Sequence, residues 1–170
     1  MAKYDFKTKE EKCIFCEIAK KNVKPLGEGL FYEDKEYMAF LSPFPNTKGF
    51  SIVIPKKHFD GDVLKMPDKE LNKFILTSKK VANILLNYFE DVGRIGLIME
   101  GTGIDHAHIK LFPMHNTPEL KRGEFKQFNS SNNKYFETYE GYISSHDSLK
   151  ADEKELQKLA KKLQEFQNKK

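Results

Sequence analysis

Apolar residues along this chain gather into short blocks and, in two longer stretches, recur every third or fourth position. The blocks LFYE (30–33), YMAFL (37–41), FSIVI (50–54), RIGLIM (94–99) and HAHIKLF (106–112) are rich in β-branched and aromatic residues and predict strands. Asp34-Lys35 supplies a turn between the first two, while Pro43, Pro45 and Gly49 break the second from the third, so the order predicts an antiparallel meander. Between the third and fourth blocks, Leu71, Phe74, Ile75, Val81, Ala82, Leu85, Tyr88 and Phe89 fall at helical spacing behind an opening signal at Pro67 and Asp68. That spacing predicts a helix of about six turns lying across the sheet. Further on, a short strand GYIS (141–144) precedes a second amphipathic helix, with Asp152 and Glu155 resembling a capping box and Leu156, Leu159, Ala160, Leu163 and Phe166 on one face. Strands and helices are segregated, which predicts α+β architecture with an antiparallel sheet, one long central helix and a C-terminal helical extension.

A length of 170 residues suits one domain plus an appendage, and 39% apolar residues with 14 Phe is the composition of a folded chain. Net charge is +4, from 29 basic and 25 acidic residues, with lysines scattered or gathered at the two ends. This favours small anionic ligands weakly and argues against a nucleic-acid-coating surface. No apolar run approaches the roughly 20 residues of a membrane-spanning helix, and MAKYDFKTKEEK lacks the apolar centre of a signal peptide, so the expected location is the cytoplasm, away from membranes. The two cysteines stand as C-x-x-C at Cys13 and Cys16. In a reducing compartment that spacing is half of a metal site or a redox pair. The redox alternative wants a βαβ context that the pattern does not offer, and zinc would need two further ligands, for which the histidines are the available candidates.

Three of the five histidines lie in GTGIDHAHIKLFPMH (101–115). In a strand over 106–112, alternation puts His106, His108 and Lys110 on one face and Ala107, Ile109 and Leu111 on the other. Gly101 and Gly103 allow a tight loop whose N–H groups can approach a phosphate. Spacing leaves three readings open: an exposed polar strand face, a His-x-His pair sharing an ion, or an imidazole attacking phosphorus with cations nearby.

CIFCEI, YMAFLSPFPNTKGFSIVIPKKH and HAHIKLFP, in that order with the long helix between the last two, resemble the histidine triad family of nucleotide hydrolases and transferases. The resemblance implies an α+β sandwich, usually a two-fold homodimer, and attack by the middle histidine on the α-phosphorus of a nucleotide through a nucleotidyl-histidine intermediate. Carried over, the nucleophile is His108. As in family members opening with C-x-x-C, Cys13, Cys16, His58 and His106 would form a closed structural zinc site. The resemblance places Ser42 where an acidic residue commonly grips the ribose, and Glu100, Gly101, Thr102 and Gly103 loosely where leaving-group contacts lie. Lys110 stands at the third histidine position. Family transferases with glutamine there show that a third histidine is not obligatory, but a lysine is an ordinary cation with a pKa near 10 and a poor general acid unless that value is depressed.

The expected organisation is therefore a loose arm (1–12), a histidine-triad-like domain (13–115) and an extension (116–170) packed on it. The expected function is a hydrolase or transferase acting on a dinucleoside polyphosphate or nucleoside phosphoramidate through His108. A zinc-stabilised nucleotide sensor with little turnover, and a zinc hydrolase using His106, His108 and His115, are the alternatives. His115 is expected to cap a turn, and Tyr135, Phe136, Tyr139 and Tyr142 to pack into the core.

Overall fold

The computed structural model describes residues 13–25, 29–125, 127–130, 132, 134–144, 152–154, 157 and 159. Helix α1 (Ile14–Ala19) is followed by strands β1 (Leu30–Glu33), β2 (Tyr37–Leu41) and β3 (Ser51–Pro55). Helix α2 (Asp68–Tyr88) then precedes β4 (Ile95–Ile98) and β5 (Ile109–Pro113). All pairings are antiparallel, and the sheet order is β1-β2-β3-β5-β4. The architecture is α+β, as the sequence predicts, but the simple meander stops at β3. Helix α2 carries the chain to the far edge, where β4 forms, and β5 returns to the gap beside β3. A consequence is that β5, the strand of the histidine motif, is central and flanked on both sides.

Pleating gives the sheet two different faces. One carries Tyr37, Ala39, Val53, Ala107, Ile109 and Leu111, covered by Phe74, Val81 and Leu85 of α2. Phe74 stacks on Tyr37 with centroids 5.6 Å apart. The other carries Met38, Phe40, Ile52 and Ile54, covered by Phe15 and Ile18 of α1. Helix α2 has the predicted length, yet Tyr88, assigned to the apolar stripe from its spacing, points to solvent, while Leu85 before it and the post-helical Phe89 after it pack on the core.

The described chain falls into two compact units, Met1–Lys126 and Gln127–Lys170. In the second, the strand expected over GYIS does not form: residues 141–144 are irregular and Tyr142 and Ile143 are exposed. Tyr135 and Tyr139 are exposed as well, in place of the expected core packing, and Phe136 meets the edge of Tyr142 with the Lys134 ammonium over its ring. Of the helix expected from Asp152 to Phe166, residues 153, 154, 157 and 159 are helical and Asp152 just precedes them; the other positions lie outside the described residues, as does the arm 1–12.

Candidate functional site

Cys13 is the residue before α1, and Cys16 lies one turn on, so the spacing of three brings both thiols to one side while Phe15 and Ile18 enter the core. His58 follows β3, and His106 precedes β5. The Sγ of Cys13 is 3.3 Å from His106 Nδ1, the Sγ of Cys16 3.5 Å from the same atom, and Cys16 Sγ 3.4 Å from His58 Nδ1. All four ligand atoms lie within 4.8 Å of one another. Metal–sulfur bonds of about 2.3 Å and metal–nitrogen bonds of about 2.0 Å in a tetrahedron separate the ligands by roughly 3.3 to 3.8 Å, which the three sulfur–nitrogen separations match, while the set as a whole is somewhat more open.

The orientation of His106 strengthens the fit. Its Nε2 is 2.9 Å from the Pro55 carbonyl, which can only accept, so Nε2 carries the proton and Nδ1 presents a lone pair to both thiols. Burial, with His58 and His108 nearby, pulls the His106 imidazole down to about 4, which keeps it a neutral ligand. Burial and the adjacent Cys13 push the Cys16 thiol up to about 11. A bound divalent cation reverses that preference by stabilising the thiolates. These four residues therefore suit a closed metal site, and among the described residues no other group of histidine, cysteine or carboxylate ligands does. His115 is far from it in role: its Nδ1 meets Asp91 Oδ2 and its Nε2 the Lys48 carbonyl, both at 2.9 Å. Both ring nitrogens of His115 are thereby engaged by other partners, which tells against its sharing a metal with His106 and His108.

The regular ladder of β5 begins only at Ile109, three residues later than the predicted strand. Ahead of it the backbone is tied to loops, with Ala107 N–H donating to the Phe59 carbonyl at 2.8 Å and His106 N–H to the Ile104 carbonyl at 2.9 Å. The alternation nevertheless holds, since Ala107 and Ile109 face α2 while His106 and His108 meet Phe15 on the opposite side. His108 is 4% exposed and its Nδ1 lies 2.8 Å from the His106 carbonyl. The carbonyl fixes the proton on Nδ1 and leaves Nε2 with a free lone pair, and burial lowers the His108 pKa so that the neutral form dominates. A neutral imidazole oriented in this way is equipped for nucleophilic attack.

Lys110 lies on the same face as His108, opposite Ile52 of β3 and Ile98 of β4 in the register. Its ammonium pairs with the carboxylate of Glu100, just beyond β4. Burial lowers the Lys110 pKa. The Gly101 backbone has φ 64°, and a Cβ there would stand 2.6 Å from the Gly61 carbonyl oxygen, so only glycine fits. Gly103 also has positive φ, and the exposed Thr102 lies between them. Asp105 fixes this loop to the one after His58 by accepting from Gly61 N–H at 2.8 Å. Ser42, half-buried after β2, accepts from Phe44 N–H at 3.2 Å and keeps its hydroxyl proton for another partner. Sequence reasoning missed Asp105 and the Pro55 carbonyl as orienting groups, and a backbone acceptor leaves no residue-type signal to find. A cleft of about 220 Å³ borders His58, but Asp60 and Asp62 against the single Lys65 make it a poor phosphate site.

The HIT domain family profile matches residues 26–117. An uncharacterized HIT-like protein of Methanocaldococcus jannaschii is 32% identical over 123 residues, 67% of this chain and 89% of its own length. The adenosine 5'-monophosphoramidase of Schizosaccharomyces pombe is 29% identical over 108 residues, covering 61% of this chain and 75% of that protein. A crystal structure of a Streptococcus mutans protein superposes with a TM-score of 0.61 at 22% identity, covering 98% of this chain and 90% of that one, and establishes the shared fold.

Proposed function

Because the chain belongs to the HIT domain family, we propose that it is a nucleotide-binding hydrolase or nucleotidyl transferase that cleaves at an α-phosphate through His108. The substrate class is a dinucleoside polyphosphate or a nucleoside phosphoramidate, the latter in keeping with the named activity of the fission-yeast relative. The observation that carries this reading is the His108 geometry: a buried imidazole whose Nδ1 proton is given to the His106 carbonyl at 2.8 Å, leaving Nε2 as the nucleophile. Nε2 attacks the α-phosphorus, an N–P bond forms, and the leaving group departs with the electrons of the broken bond. Water or another acceptor oxygen then attacks phosphorus and the N–P bond breaks, returning neutral His108. Ser42 would contact the ribose, and Gly101, Thr102 and Gly103 the leaving-group side.

Zinc is the metal that two thiolates and two imidazoles suit best, and at Cys13, Cys16, His58 and His106 it would be structural, supplying a cross-link and no step of the reaction. The catalytic domain is read as residues 13 to 115, with 116 to 170 as an extension, working as a homodimer in the cytoplasm, where reduced thiols persist. No described helix is long and apolar enough to cross a membrane. The test is capture of a substrate's labelled α-phosphate on the protein. Label is expected on the parent chain and absent from His108→Ala, and unchanged turnover in that variant would end the proposal.

A second reading is favoured by the engagement of Lys110 with Glu100: a zinc-stabilised nucleotide sensor that binds but hardly turns over. Heat of nucleotide binding with no product over hours, and no captured label, would select it.

A further inference from the structure

The structure gives Lys110 a companion in Glu100. Among the ion pairs of the described residues, Lys110–Glu100 has both side chains well shielded, 24% and 11% exposed. Lys56–Glu33 comes near it, at 25% and 28%, whereas the remaining described pairs leave at least one partner more open, and exposed pairs contribute little. Glu100 lies two residues beyond β4 and Lys110 sits on β5 opposite Ile98, so the pair ties the chain leaving one strand to its neighbour, with Lys110 on the face that carries His108. Along extended chain, Lys110 lies about 7 Å beyond His108.

Charge decides what such an arrangement can do. A lone lysine in place of a neutral histidine would add a full positive charge beside the phosphate. A carboxylate there by itself would repel a phosphate and would be costly to bury. Together they cancel, and the ammonium keeps N–H donors beyond the one given to Glu100. We propose that Glu100 is a functional residue of the phosphate site, forming with Lys110 a charge-compensated pair that occupies the third-histidine position and sets how strongly the pocket holds anionic substrate. This rests on the proposal that a nucleotide binds with its phosphate at His108. It assigns Glu100 a positioning and specificity role, and it requires the two residues to be exchanged together: Lys110→His alone strands an uncompensated carboxylate at the phosphate.

The test compares AMP with adenosine by calorimetry on the metal-loaded full chain, since the difference between the two affinities isolates the phosphate. A unit charge at about 7 Å in a partly solvated site changes phosphate affinity by roughly tenfold. Glu100→Gln is expected to tighten AMP by about that factor, and Lys110→Gln to weaken it by a similar factor, with adenosine unmoved in both. Lys110→His is expected to weaken AMP, and adding Glu100→Gln to it to restore parental affinity. If AMP binds the parent chain but Glu100→Gln leaves the AMP-to-adenosine ratio unchanged, or if adenosine affinity shifts in parallel with AMP, the pair is only structural and the inference fails. If neither ligand binds the parent chain, the functional reading itself falls, an outcome separate from the first.

Discussion

His115 is held by two groups that can only accept, the Asp91 carboxylate and the Lys48 carbonyl. Both ring nitrogens must therefore donate, which the imidazolium alone can do. The Lys48 carbonyl and then Asp91 raise the His115 pKa above the usual 6.5, and Asp91 is itself anchored by Asn116 N–H at 3.1 Å. In the unfolded chain the ring titrates near its ordinary value, so folding is favoured by protonation. This contribution is fully present below about pH 6.5 and is lost as pH rises through the elevated folded value. Thermal melts of the parent chain should lose a stability increment on the alkaline side of pH 6.5, and His115→Asn should lack that increment. A variant whose melting temperature declines across the window as steeply as the parent would refute the assignment.

At the scale of elements, α2 owes its place to one apolar stripe, yet that stripe contains a buried hydroxyl. Ser78 is fully buried and its hydroxyl has no hydrogen-bond partner among the described residues. Such a group costs about 1 kcal/mol or more, and serine is also a weaker helix former than alanine. Ser78→Ala is accordingly expected to stabilise the protein by about 1 kcal/mol in denaturant unfolding; a loss of stability would mean that the hydroxyl has a partner after all. Helical spacing identifies Leu71, Phe74, Ile75, Val81, Ala82 and Leu85 without the structure. It fails for Tyr88, which is exposed although Leu85 before it and Phe89 after it both pack on the core.

For the molecule as a whole, the cluster at Cys13, Cys16, His58 and His106 closes long loops: Cys13 and His106 are 93 residues apart, and Cys16 and His58 are 42 apart. A metal there would fasten α1 to the two loops that also orient His108. Chelation is expected to lower the melting temperature by roughly 5 °C or more, corresponding to about 2 kcal/mol in a chain of this size. Cys13→Ser should remove the metal and melt like the chelated parent, with no further effect of chelator, whereas His108→Ala should retain one equivalent by elemental analysis. Metal kept by Cys13→Ser but lost from His108→Ala would assign the ion to a different site.

The chain itself determines the elements and the ingredients. Alternation in HAHIKLF separates a polar from an apolar face, and the C-x-x-C spacing brings two thiols to one side, because both depend on backbone period alone. Resemblance then connects residues that local pattern cannot, such as His58 with Cys16. What remained for the tertiary structure is everything that depends on non-local pairing. It put β5 between β3 and β4, and it delayed the ladder to Ile109 by tying His106 and Ala107 to loops. It also chose the acceptors that fix the imidazole tautomers and set Glu100 against Lys110. A carbonyl exists at every residue and carboxylates are common, so sequence cannot say which one meets a given ring or ammonium. Only the folded register of strands and loops selects them, and with them the charge and proton positions on which the chemistry depends.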